Sequence, residues 1–282
     1  MKTAKPALPV LPISAEGMPA SVRWMRWVVG AIVSIHLVVA LSLIVNHVGR
    51  GAIVAGSDAW HMLYFHQFAE GGHCYYPRGD VAHVTDGYTP LASEIFGWVI
   101  RLCGTDIRWV RLATGLFGLA GMWLAGACVK RLTGDRFFGY VAAALTAGIE
   151  VKWYLDVGPN TVHATVSILA LYLFLRDPDL SWKTLVGAGL ALFASFWSKQ
   201  LGLAYMVAGT VYVLSKDWRK GLWLGAGLAA LSLAGILYYS NLENSRFLYW
   251  VFEMNRNQPI IWSRLWTVVF TEILTRKYAV SV

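Results

Sequence analysis

An apolar run over residues 24–48, preceded by Lys2, Lys5, Arg23 and Arg26, fixes the surroundings in which this chain must fold. About 20 consecutive apolar residues cross the hydrocarbon of a bilayer, whereas the apolar core of a cleaved signal peptide is only about 7 to 15 residues long. The run is therefore read as an uncleaved first span whose basic flank keeps the N-terminus in the cytoplasm. Further apolar segments follow at 108–129, 137–151, 160–175, 184–197, 201–214, 221–239 and 264–278. Several are short for a span, and small residues such as Gly115, Gly118, Gly121, Gly126, Gly187, Gly189, Gly225 and Gly227 are expected to let neighbouring helices approach closely and shield their ends. The expected fold is all-α: a polytopic integral membrane helix bundle of about eight transmembrane helices, with amphipathic surface helices in a long first outer loop. Residues 1–23 form a cytoplasmic N-terminal tail and residues 24–282 a membrane domain, with the outer loop at 49–107.

Composition agrees with this reading and removes other classes. Of 282 residues, 57% are apolar and only 14% charged, against roughly a quarter charged in a soluble domain. Cys74, Cys103 and Cys128 leave at least one thiol unpaired and cannot build a disulfide scaffold. The net charge of +8 is not a nucleic-acid signature, because no basic tract with interleaved aromatics is present. It is a matter of location: the connections 130–136, 176–183 and 216–220 all carry Lys or Arg and all fall on the cytoplasmic side when counted from a cytoplasmic N-terminus.

The opposite face carries the long loop. Between Arg50 and Asp106 lie six acidic residues against three arginines, a net charge of −3, which topology alone does not require. Loops beyond about 15 residues are usually functional or disordered, and this one is too aromatic for disorder. Its first part, Asp58 to Gly72, is expected to form a short surface helix that Ser57 or Asp58 can cap and that stops at Gly71 and Gly72. Its second part starts a helix at Pro90 and ends near Gly104. At about 14 residues it suits an interfacial or re-entrant helix better than a span. The aromatic run beginning at Phe247 suggests another surface helix near the headgroups.

The order of these features resembles the GT-C polytopic membrane glycosyltransferases, in particular the branch holding aminoarabinose transferases and protein mannosyltransferases. The residues carrying the resemblance are Asp58 at the start of the first outer loop, Thr89, Pro90 and Leu91 in place of a Pro-Pro-Leu element, Asp156 just before a span, and Ser198, Lys199, Gln200, Leu201 and Gly202 in place of a later Thr-Lys-Gly element. The resemblance covers about residues 25–240. Members usually have more spans and often an outer C-terminal domain, so it implies a short member, a partner-dependent half or a truncated product. It also implies transfer of a sugar from a polyprenyl-phosphate-linked donor to a lipid, glycan or protein acceptor on the outer face, at a bacterial inner (plasma) membrane. In that role Asp58 and Asp156 are the candidate catalytic carboxylates. A carboxylate near hydrocarbon loses solvation and becomes a better base near neutral pH. The leaving phosphate needs cations, for which Lys199, Arg78, Arg101 and Arg108 are the candidates, with Tyr88 in the substrate-binding segment.

Each residue also has a structural reading. Asp58 can cap a helix, Asp156 can form a turn before Gly158 and Pro159, Lys199 can snorkel from a span end, and the arginines can anchor headgroups. His61 and His66 with Asp58 are weak candidates for a divalent metal ion, since five residues is a poor spacing on one helix face. No nucleotide-binding fingerprint is present. The expected partners are the lipid-linked donor, membrane lipids and, for so short a chain, an additional membrane subunit. The competing functions are a non-enzymatic transporter or flippase of an amphiphile, which would show inverted repeats and mid-membrane charges, and a structural subunit of a membrane complex.

Overall fold

A computed structural model describes residues 18–50, 56–71, 75, 87–154, 157–242 and 246–256, side chains excepted at 56–58, 148–154 and 255. The described residues are predominantly helical and include no strand. The helices are α1 (Ala20–Gly49), α2 (Gly56–Ala69), α3 (Leu91–Cys103), α4 (Ile107–Thr133), α5 (Arg136–Tyr154), α6 (Pro159–Arg176), α7 (Trp182–Ser198), α8 (Gly202–Lys216) and α9 (Trp218–Leu242). Three of them, α1, α4 and α9, are long and apolar enough to cross a membrane by length and composition. From α4 to α9 each helix lies within a few residues of an apolar segment expected from the sequence. The expected segment at 264–278 lies outside the described residues.

Local chemistry sets the boundaries. Asp106 opens α4 by accepting the Arg108 backbone N–H at 2.9 Å, and Gly134 closes it in the left-handed region at φ 72°. Pro159 begins α6 at a position where its missing N–H costs nothing. The α6–α7 turn folds around Asp177, whose carboxylate accepts the Ser181 N–H at 2.8 Å and the Thr184 hydroxyl at 2.7 Å. Those hydrogen bonds favour the ionised form and lower the pKa of Asp177 to about 2.

Chain direction alternates through these turns, so the bundle has two unlike ends. One end collects the C-termini of α1, α5, α7 and α9 and the N-termini of α4, α6 and α8, and it carries α2, α3 and a short helical segment at 246–256. The other carries Lys130, Arg131, Arg136, Arg176, Lys183, Lys216, Arg219 and Lys220. α4 packs against α1, α5 and α6, α7 sits between α6 and α8, and α9 lies on α8 and α7. α1 is fastened near its two ends. Arg26 is paired with Asp135 in the α4–α5 turn, and the fully buried Arg111 of α4 donates to the Arg50 carbonyl at 2.6 Å. Between those points Ile32, Ile35, Val38, Val39 and Leu43 of α1 remain exposed. In water such a stripe would be an aggregation surface; in lipid it is the favourable exterior.

α2 and α3, of 14 and 13 residues, pack against each other. α3 is one-sided, burying Ala92, Phe96 and Ile100 while Trp98, Arg101 and Leu102 face outward. α2 departs from the amphipathic pattern expected of it. It buries Tyr64 and Phe65 yet also exposes Trp60 and Leu63, so both of its faces are apolar. A helix with protein on one side and lipid on the other needs no polar stripe. Segment 246–256 contains a π-helical turn at Tyr249–Glu253 and is held by an aromatic cluster in which Phe247 meets Tyr75, Trp197 and Tyr239.

α4 and α5 cross with their backbones in close approach. A Cβ added to Gly126 would stand 2.7 Å from the Gly139 carbonyl oxygen, and one added to Gly139 would stand 2.8 Å from the Gly126 oxygen. Backbone cannot rotate away as a side chain can. Gly227, by contrast, faces open space. Gly126→Ala is therefore expected to destabilise the protein by about 1–3 kcal/mol, whereas Gly227→Ala should be neutral or stabilising by up to about 1 kcal/mol through helix propensity. Thermal unfolding of the two variants in one detergent tests the contrast.

Candidate functional site

Three chain reversals meet at the end of the bundle that carries α2 and α3. They are the α7–α8 turn, the start of α6, and residues 87–90 before α3. Because this end is built from helix termini, its backbone groups must find partners among one another. Thr89, fully buried, donates to the Phe196 carbonyl in the last turn of α7 at 2.8 Å. Gln200 donates from Nε2 to the Gly87 carbonyl at 2.6 Å and to the Val251 carbonyl at 3.0 Å, joining the α7–α8 turn to both the α3 leader and segment 246–256. The Tyr75 hydroxyl donates to the Tyr88 carbonyl at 2.7 Å. Tyr88 is thus fixed from two sides.

Lys199 caps the C-terminus of α7 in extended backbone and reaches across to the start of α6. Its Nζ donates to Asn160 Oδ1 at 2.6 Å and lies 5.3 Å from the centre of the Tyr88 ring, an arrangement that orients the ammonium through an amide oxygen and a π-face. His61 of α2 closes the other side of Tyr88, with ring centres 6.1 Å apart, and stacks on Phe65 at 6.0 Å. It also rests against Gly158, where an added Cβ would be 3.0 Å from His61 Nε2. The Lys199 cation therefore lies beside the positive end of the α6 dipole, a combination that suits an anionic group.

Beneath this layer a polar knot holds α6 to α7. His163 Nδ1 lies 2.9 Å from Ser195 Oγ and 3.2 Å from the Ser195 carbonyl oxygen, and Ser195 Oγ lies 2.7 Å from Ser167 Oγ. The Ser195 carbonyl also accepts the Lys199 backbone N–H at 3.1 Å, so the knot sets the position of the lysine. Below it a cleft of about 470 Å³ runs between α6 and α8, lined by Ser167, Leu171, Phe174, Tyr205, Gly209 and Tyr212 among others. Asn160 is one turn above Ala164, the first α6 residue of that cleft, so the Lys199 contact and the cleft lie on one helix face.

Of the residues singled out in the sequence, Tyr88, Lys199 and His61 come together. Asp58 lies in the first turn of α2, three residues before His61, and its side chain is outside the described residues, as are Asp156 and Arg78 altogether. Arg101 turns to α2, donating to the Ala69 and Phe68 carbonyls and lying over Trp98. Arg108 pairs with Asp106 at the mouth of α4, holding that carboxyl below its ordinary range. His66 pairs with Glu70 at 3.4 Å, away from the His61 stack. Among the described residues no group of His, Cys, Asp or Glu is placed to hold a metal ion. On α3, burial pushes the Glu94 carboxyl above its ordinary range. Sequence reasoning did not find Asn160, His163 or Ser195, and it named Gln200 only as part of the Thr-Lys-Gly-like element. The available signal was a polar residue inside an apolar run, which in a membrane must pair with something.

Comparison with known proteins gives one match. A family model described as dolichyl-phosphate-mannose-protein mannosyltransferase matches residues 88–242, more than half of the chain. The matched part includes Tyr88, Asn160 and Lys199, while α2 with His61 precedes it. No curated protein and no solved structure matches.

Gly158 has extended backbone (φ −171°) that any residue adopts, so an alanine there would act only through His61. Gly158→Ala is expected to lower thermal stability by displacing the imidazole, and in a His61→Ala background the same change should cost little. The coupling in this double-mutant cycle is expected at about 0.5–3 kcal/mol. Additive losses would show that the two residues do not share a contact.

Proposed function

The chain belongs to that mannosyltransferase family, a member of the GT-C superfamily of membrane glycosyltransferases, and on this premise we propose that it transfers a sugar from a polyprenyl-phosphate donor to an acceptor at the end of the bundle holding Lys199. Membership of the family implies glycosyl transfer from such a donor. The observation that carries the assignment to this end is the Lys199 ammonium, held by Asn160 and Tyr88 at the head of an apolar cleft. A phosphate seated there meets a cation and the α6 N-terminus, and its lipid chain follows the α6 face down past Leu171 and Phe174. In the reaction the bond from the anomeric carbon to the phosphate oxygen breaks as the acceptor's nucleophile forms the new bond. Direct attack inverts the anomeric configuration.

Asp58 takes the acceptor's proton, with Asp156 as the second carboxylate. This is supported by their neighbours: Asp58 opens the helix whose His61 touches Gly158, and Asp156 is two residues before Gly158 in the chain. Lys199 neutralises the charge that develops on the departing phosphate. Eight spans, including 264–278, and a cytoplasmic N-terminus complete the reading, with the Lys199 end outside a bacterial inner membrane. It is supported by the Lys and Arg residues gathered at the opposite end.

Membranes containing the protein, incubated with a panel of radiolabelled polyprenyl-phosphate sugars and acceptors, are expected to show transfer from at least one donor. Asp58→Asn should reduce it by about 10²–10⁴-fold, the usual worth of a general base. Lys199→Ala should reduce it by about 10²–10³-fold, as for loss of one transition-state donor, and Lys199→Arg should recover part of the loss. Normal turnover by Asp58→Asn would remove that residue from the mechanism, and failure of the whole panel would sink the transferase reading.

A further inference from the structure

At the end of the bundle remote from Lys199 a second crevice opens between α4 and α5. It has a volume of about 700 Å³. Its rim is basic, with Lys130 and Arg131 from the last turn of α4 and Arg136 from the first turn of α5. Its walls are aromatic, with Trp123, Tyr140 and Tyr172, and Arg131 lies 5.4 Å from the centre of the Tyr172 ring. Gly126 and Gly139 close its floor by bringing the two backbones together. No carboxylate lines it. The nearest acidic residue in the chain, Asp135, is taken up by Arg26 and by the Phe137 N–H. Among the described residues no ion pair neutralises Lys130, Arg131 or Arg136, so three cations face one opening.

Depth distinguishes this crevice from an ordinary basic rim. Arg131, Ala127 and Trp123 are spaced by four residues on one face of α4, so Trp123 lies about 12 Å below Arg131 along the helix axis. A charged head at the rim would therefore continue directly into an apolar, aromatic slot that opens sideways towards lipid. A soluble anion would use the rim alone. An amphiphile uses both parts, and basic pockets between membrane helices commonly take acidic lipid headgroups. We propose that this crevice binds an anionic phospholipid, its phosphate on Lys130, Arg131 and Arg136 and an acyl chain laid along Ala127 and Trp123. The site is separate from the Lys199 pocket and does not depend on the transferase reading.

The full chain, purified in a neutral detergent and stripped of lipid, is titrated with dioleoyl-phosphatidylglycerol, with dioleoyl-phosphatidylcholine and with inorganic phosphate, and followed by native mass spectrometry and thermal unfolding. Phosphatidylglycerol is expected to give a resolved one-to-one adduct and a raised melting temperature, and phosphatidylcholine and phosphate are expected to give neither. Replacing the three basic residues by Gln should weaken binding by about fivefold per charge removed, the equivalent of about 1 kcal/mol each. Ala127→Phe keeps every charge but fills the slot. It should abolish the adduct as well, and it serves if the triple variant does not insert. Lys183→Gln with Lys216→Gln, away from the crevice, should change nothing. Equal stabilisation by phosphate would overturn the lipid assignment, as would phosphatidylglycerol binding that survives Ala127→Phe or falls equally in the distant double variant.

Discussion

A helix terminus buried in a membrane protein has no water to satisfy its last carbonyls, and the rest of this structure is organised around how α7 meets that demand. Its final turn gives the Ser195 carbonyl to Lys199 and His163 and the Phe196 carbonyl to Thr89. Those partners come from α6, from the leader of α3 and from the turn into α8. One set of backbone acceptors thereby gathers three distant parts of the chain. The meeting of Lys199 with Tyr88 is a consequence of that gathering.

Much of the helical layout was legible in the sequence because a bilayer leaves few alternatives. An apolar run flanked by Lys, Arg, Gly or Pro can only be a helix with ends near those residues, and Asp106, Gly134 and Pro159 mark such ends. The bounds of α3 were legible too, since Pro90 precedes its first turn and Gly104 caps it at φ 95°. The internal wiring was not. His163, Ser195 and Asn160 are single polar residues in apolar surroundings, and sequence spacing says nothing about which of them will meet across helices. Arg101 and Arg108 were credible phosphate ligands by position. Each found a nearer acceptor instead, Arg101 in the end of α2 and Arg108 in the capping carboxylate two residues before it. The two-sided apolar character of α2 was missed because amphipathicity presumes one aqueous face.

The two ends of the bundle solve opposite electrostatic problems. At one, the Lys199 ammonium is oriented by contacts that include an amide oxygen and an aromatic ring. At the other, basic side chains stand around turns whose own carboxylates, Asp135 and Asp177, are already engaged as caps and pair partners. Asp177 shows how firmly such a turn is tied, since its hydrogen bonds hold the carboxyl near the acid limit of ordinary behaviour.

Helix lengths in this bundle are unequal. α1, with 30 residues, rises about 45 Å and exceeds the usual hydrocarbon thickness of about 30 Å, whereas α8, with 15, rises only about 22 Å. In α1, which is long and apolar enough to cross a membrane, tilt of the helix takes up the excess. α8 falls short of that thickness, and it is the helix that walls the cleft beside α6.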